Sequence, residues 1–276
     1  MKNILKISIL VLMIVYSSSS TIAQQVTGKA IYKSFFKVEI NFDSTDTNPE
    51  VSAQIQKQLQ QQMQRDYELV FNNTESHWKQ LESLNNGMAQ ASSGGMVIEL
   101  VGLSANEILY KNIGEGRFIE GKSMFEKDYK ITDQLELINW KITSETKQIG
   151  QYTCKKATYD KIVETKNFSS EMEKMTDATD TIKVVAWFTE SIPVSNGPAK
   201  SWGLPGLILE LKSGDIQFLC SQIILNPEDG IDIKIPKKGK EVTEKEFDEA
   251  MEKDMEKMMK KYNGNGEKEI HIKIGG

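Results

Sequence analysis

The sequence predicts an α+β fold: one long, curved antiparallel β meander with a helix in its N-terminal half and an amphipathic helix near its end. Two observations predict the meander. From residue 97 to residue 225, short β-branched and aromatic runs alternate with turn residues. Several of these runs are joined by only a few residues, which suits antiparallel neighbours. A third observation predicts the helices: residues 50–66 and 244–262 place apolar side chains three or four apart, the helical period.

The chain opens on a segment that reads as a cleaved secretory signal, residues 1–23. Lys2 and Lys6 give a positive start, Ile7 to Tyr16 is apolar except for Ser8, and Ala23 follows a serine run as a small cleavage residue. Ten residues rise only about 15 Å as a helix, half a bilayer core, so a membrane anchor is the weaker reading. A mature chain of residues 24–276 would carry 32 basic and 39 acidic residues once Lys2 and Lys6 are subtracted from 34, a formal charge of −7. With no cluster of Lys and Arg, nucleic acid and anionic membranes are poor partners. The expected organisation is one α+β domain over 24–262 and a tail, 263–276, that could form an edge strand.

Residues 26–42 read as a strand, with Val26, Gly28, Ala30 and Tyr32 alternating with polar neighbours. The stretch 50–66 puts Val51, Ile55, Leu59 and Met63 on one helical face and glutamines on the other. Residues 67–71 form a strand, and 84–96, rich in Asn, Gly and Ser, a loop. Strands are then expected at 97–101, 107–112, 117–121, 123–131, from 140, at 151–159, 182–189, 207–211 and 216–225, with 168–181 a loop. In the last helix Phe247, Met251, Met255, Met258 and Tyr262 form one stripe, and Thr243 with Glu246 makes a capping box.

Trp202-Gly203-Leu204-Pro205-Gly206-Leu207-Ile208-Leu209 is the most informative run. Pro205-Gly206 predicts a type II turn, with Gly206 at positive φ. Apolar residues flank it on both sides, which turns rarely show. Two readings stand. The loop plugs one end of the sheet, or Trp187, Trp202, Leu204, Pro205 and Leu207 line an apolar lip for a ligand.

This run resembles the signature of the GLPGLI family, exported proteins of Bacteroidetes with no established activity. Lys147-Gln148-Ile149-Gly150-Gln151-Tyr152-Thr153-Cys154-Lys155-Lys156-Ala157, Ala186-Trp187-Phe188-Thr189-Glu190-Ser191-Ile192-Pro193 and Asn196-Gly197-Pro198 resemble its other motifs, in order over 147–211. The overall pattern is also similar to periplasmic lipid-handling proteins, such as lipoprotein carriers, whose open half-barrel cradles an acyl chain.

The two cysteines, Cys154 and Cys220, each fall within an expected strand. In an oxidising compartment they invite a disulfide; separate buried thiols are the alternative. His77 and His271 are the only histidines, and His77 reads as a surface residue beside a turn. No HExxH, CxxC, P-loop or complete dinucleotide fingerprint exists, so neither a catalytic residue, a metal nor a cofactor is expected. Met172, Met175, Met251, Met255, Met258 and Met259 could serve Cu(I), but the stripe favours packing. The expected function is therefore non-enzymatic: an exported, periplasmic or envelope protein carrying an apolar, lipid-like ligand. The alternative is an accessory protein docking onto an outer-membrane protein.

Overall fold

The computed structural model describes residues 25–37, 49–82, 89–93, 96–100, 107–124, 126–167 and 176–263. Residues 1–23, expected to be a signal segment, the tail beyond Asn263, Met172, Met175 and the side chains of Met255, Met258, Met259 and Tyr262 lie outside what is described.

Among the described residues, twelve strands form one open mixed sheet, with two helices. The first meander comprises β1 (Gly28–Phe36), β2 (Arg65–Phe71), β3 (Glu75–Gln80), β6 (Ile108–Asn112), β7 (Arg117–Met124) and β8 (Lys127–Gln134). The second comprises β9 (Lys141–Ile149), β10 (Tyr152–Asn167), β11 (Thr176–Thr189), β12 (Leu207–Ser213) and β13 (Ile216–Leu225). Antiparallel pairing of β1 with β13 joins the two, and β14 (Lys240–Val242) adds to β8 in parallel. The order is β14-β8-β7-β6-β3-β2-β1-β13-β12-β11-β10-β9.

This order forces curvature. β8 and β9 stand ten strand intervals apart, which in a flat sheet is about 48 Å. Residues 135–140 must bridge them, and the seven steps from Gln134 to Lys141 reach about 25 Å at most. The sheet therefore curls until its flanks approach, without closing into a barrel. Leu135 in this connection is buried, and its N–H donates to Gly116 O at 2.8 Å.

Helix α1 (Pro49–Gln62) begins on proline, which suits a first helical position because its missing N–H would have no partner there. It buries Ile55 and Leu59 and lies against β4 (Ala89–Ser93), which forms a separate hairpin with β5 (Met96–Leu100). That hairpin corrects the loop expected over 84–96. Of the loop expected at 168–181, residues 176–181 belong instead to β11, paired with β10 as far as Asn167–Thr176, and residues 168–175 lie outside the described residues. Helix α2 (Glu244–Asn263) starts on the predicted capping box: Thr243 N–H donates to Glu246 Oε2 at 2.8 Å, and Glu246 N–H to Thr243 Oγ1 at 3.2 Å. Its Phe247 meets Tyr129 of β8 edge-on at 5.2 Å.

β3 escaped the sequence reading, and with it the place of His77. Residues 227–239 run from β13 to β14 across the outer side of β3 and β7. There Lys234 N–H donates to His77 Nδ1 at 3.0 Å, and Pro236 packs beneath Gly121. His77 is thus buried at 3% exposure, not a surface residue. Burial, with the charges of Lys79, Lys234 and Lys29 outweighing Asp232, pulls its pKa down to about 4.

A histidine held neutral in the fold but titrating normally when unfolded leaves the unfolded chain binding more protons between pH 6.5 and 4. Stability is therefore full above about pH 6.5 and is lost as the pH falls towards 4, by about 3 kcal/mol for this one group. Thermal unfolding from pH 7 to 4.5 should show a slope that His77→Gln flattens; an unchanged slope would remove His77 as its source.

Candidate functional site

The signature covers the end of the connection between β11 and β12, residues 190–206, and the first residues of β12. Here the chain reverses through tight three-residue turns. Val194 N–H donates to Ile192 O, Asn196 N–H to Val194 O and Gly206 N–H to Leu204 O, each at 2.8 Å. Pro193 and Pro205 are central residues of two of them, where the proline ring already sets φ near the required value.

The type II turn expected at Pro205-Gly206 is therefore replaced by a γ-type turn. Gly206 is absent from the glycines at positive φ, and the left-handed conformation falls on Gly203, at φ +95°. Position 206 needs glycine for a different reason. A Cβ there would lie 2.1 Å from Thr189 O and 2.6 Å from its carbonyl carbon. The turn presses directly on the end of β11.

The apolar side chains of the run go inward, in two directions. Leu207 and Leu209 join the larger core cluster, with Ile192, Val194, Leu69, Leu109 and Tyr32. Leu204, Ile208 and Leu211 join the smaller one, with Ala157, Ala186 and Phe188. A strand covered on both sides needs a continuous apolar run instead of an alternating one. Of the five residues proposed for a lip, Leu204 (1% exposed) and Leu207 (0%) are interior. Trp187 and Trp202 are half-buried, and only Pro205 is exposed. Lys147 Nζ stands 4.4 Å above the Trp187 ring and pairs with Glu210 at 2.6 Å.

The loop is clamped to the first meander and to the 135–140 connection. Trp202 Nε1–H donates to Glu136 O at 2.9 Å, and Trp140 Nε1–H donates to Trp202 O at 2.8 Å. Lys200 stands 4.0 Å over the Phe118 ring, lies 3.5 Å from Glu120 and pairs with Glu244 at the start of α2. The central clamp is Lys111 on β6. Its fully buried ammonium donates to Gly197 O at 2.9 Å, Ala199 O at 2.6 Å and Ser201 O at 3.2 Å. Three N–H bonds meet three carbonyls, while burial pushes the amine down to about 7. Sequence reasoning missed Lys111. The signal was a lysine two residues after Leu109, and so on the same strand face as a core residue.

Cys154 and Cys220 are unbridged, which corrects the disulfide expectation. They stand on β10 and β13, three strand intervals apart, about 14 Å along the sheet. A bridge needs Cα atoms within about 7 Å. Both thiols contribute to the larger core cluster, and burial pushes them up, to about 11 for Cys154 and about 12 for Cys220.

One further group of side chains comes together that the sequence did not announce. The register sets Tyr67 of β2 opposite Gln80 of β3. Continued by one residue beyond the Lys79–Ile108 and Ile108–Gly121 pairs, it brings Glu107 and Lys122 into the same row. Tyr67 stacks on Trp78 at 4.8 Å, and Phe218 meets both rings edge-on at 5.6 and 5.4 Å. Burial, then the Glu107 charge, pushes the Tyr67 hydroxyl up to about 12. Burial also raises Glu107, partly offset by Lys122. Lys122 itself pairs with Glu120 at 3.3 Å. Among the described residues no group of three or more His, Cys, Asp or Glu side chains could hold a metal ion.

Comparison with known proteins adds a family match and a distant fold likeness. No curated protein matches the chain. Two solved structures of PNGF-II, in C2 and P21 space groups, resemble it at 15% identity with TM-scores of 0.46 and 0.48. They cover 83% and 82% of this chain, and the chain spans 33%, about a third, of each of theirs. Residues 140–210, which hold the Trp187 strand and the whole of the signature, match the model of a family described as a protein of unknown function (Porph_ging).

Proposed function

We propose that this is an exported envelope protein without catalytic function, an accessory that docks onto an outer-membrane protein through an open sheet edge. The observation that carries this reading is the β10–β11 hairpin. β9 pairs with β10 only as far as Thr158, and β12 pairs with β11 only from Val184. Beyond those points Tyr159–Asn167 and Thr176–Lys183 pair, among the described residues, with each other alone, as an arm whose outer N–H and C=O groups have no strand partner on either side. Such an edge is a template for an added strand. Ile162 on this arm is 70% exposed. The interior supports the same choice, because Leu204 and Leu207 of the signature are buried in the two core clusters and are not free to line a lip.

The test is a photo-crosslinking amino acid at position 162, in the full-length protein within its own envelope. A specific crosslink to an outer-membrane protein is expected, competed away by excess unlabelled wild-type protein but not by excess Ile162→Asp protein. Because the side chain is exposed, Ile162→Asp should change stability by no more than about 0.5 kcal/mol. No crosslinked partner from position 162, with crosslinking from buried control positions equally empty, would sink the docking reading.

The apolar-ligand reading keeps one observation in its favour, the half-buried Tyr67 and Phe218 rings beside Trp78. Native mass spectrometry of the protein purified from its envelope tests it. A lipid adduct would restore the carrier reading, and a bare mass would remove it.

A further inference from the structure

We infer that His77 and Lys234 form an acid-released latch: a proton taken up by His77 frees residues 231–238 from the outer face of the sheet and loosens β14, the strand that covers the β8 edge. Lys234 N–H donates to His77 Nδ1 at 3.0 Å. An imidazole accepts at Nδ1 only while that nitrogen carries no proton, so the bond requires a neutral His77 with its hydrogen on Nε2. Protonation turns Nδ1 into a donor aimed at another donor. Among the described residues, this is the only hydrogen bond that joins 231–238 to the sheet. Pro236 also packs against Gly121, a contact without directionality.

The groups around the ring favour release over a rearranged bond. Lys79 stands on β3 itself, Lys29 on β1, and Lys234 and Asp232, paired with each other, on the crossing segment. Tyr110 of β6 lies opposite His77 in the register, and its hydroxyl donates to Glu75. Glu68 of β2 places its Oε1 4.0 Å from His77 Nε2. An imidazolium can therefore close onto Glu68 and stay on the sheet. Its charge meanwhile repels Lys234, and its Nδ1–H rejects the Lys234 N–H. The crossing segment leads directly into β14, which holds β8 through only three pairs, Lys240–Tyr129, Glu241–Lys130 and Val242–Ile131. Once the segment is free, β14 is anchored only from the α2 side, so the β8 edge is what acid uncovers. Linkage sets the size of the effect. The latched ring titrates at about 4 and a released one at its ordinary 6.5, so closure weakens about tenfold per pH unit between these values, about twentyfold from pH 7 to pH 5.

The test is NMR on the whole protein from pH 7 to pH 4, with hydrogen exchange of the Lys234 amide corrected for its intrinsic rate at each pH. That amide should lose protection about twentyfold by pH 5 while the amides of β2 and β3 keep theirs. In His77→Gln the side-chain carbonyl can accept the same N–H and does not titrate, so the protection should persist across the range. A second reading needs no variant: the His77 ring signals and the Lys234 amide shift should titrate with one shared midpoint. Protection of Lys234 that does not change with pH, an equal loss in His77→Gln, or two midpoints more than about one pH unit apart would overturn the latch. None of these outcomes depends on whether the β10–β11 arm docks.

Discussion

Gly206→Ala is expected to destabilise the protein by about 3 kcal/mol or more, and to dislodge the signature turn. The added methyl would sit 2.1 Å from Thr189 O, 2.6 Å from the Thr189 carbonyl carbon and 3.0 Å from Glu190 N. All three are backbone atoms at the end of β11, so no flexible side chain can swing aside. Relief requires the turn to lift from β11. Lifting it pulls on the Leu207 N–H to Ile192 O and Ile208 N–H to Asn196 O bonds, both 3.0 Å. It also withdraws Leu204 from one core cluster and Leu207 from the other. Denaturant melts check the loss. Retention of wild-type stability would mean that the approach of the turn to Thr189 is looser than the structure has it.

Lys111→Met should cost about as much, by a different route. Methionine nearly matches the lysine stem in volume, so little packing is lost. What is lost is the donor set. Gly197 O, Ala199 O and Ser201 O would lie in the interior with no partner from position 111, and an orphaned buried acceptor costs about 1–3 kcal/mol. A total near 3 kcal/mol is expected, with residues 197–201 opening before the rest of the fold. Hydrogen exchange would show the loop amides losing protection in the variant while β2 and β3 keep theirs. Uniform loss across the sheet would instead make Lys111 a general core residue. Ammonium chloride adds a second readout. A small cation should restore part of the protection if the carbonyl trio is what Lys111 serves.

Both predictions concern parts of the chain that the sequence revealed unequally. The strands from 182 to 225 were legible because their apolar runs are dense and their turns short. Helix α2 was legible because Thr243 and Glu246 mark its start and Phe247 and Met251 its inner face. β3 was not, because Glu75-Ser76-His77-Trp78-Lys79-Gln80 contains one apolar residue. Its polar side chains are buried by segments remote in sequence, including Lys234 157 residues away. The signature was legible as a turn but not as the right turn. Proline and glycine side by side fit two geometries, and the approach of Thr189 decides between them. The polar row was invisible for a related reason. Tyr67, Gln80 and Glu107 come together only through strand pairing across two meander connections, and no local spacing encodes that.

The pairing of β1 with β13 also sets the order in which the molecule can be completed. Ala30 lies opposite Ile223, so the first strand made waits for almost the whole chain before its second neighbour exists. Contacts at such sequence separation are slow to form, because loop-closure entropy is lost before pairing is gained. Until then one side of β1 is an unpaired edge, a hazard for association with other unfinished chains. A chain emerging N-terminus first would hold β1, β2 and β3 as a partial sheet and seal it only when Ile216–Leu225 arrives. Maturation of this protein is therefore governed by its last third, and a chain stopped before residue 216 would leave its first strand without the second neighbour.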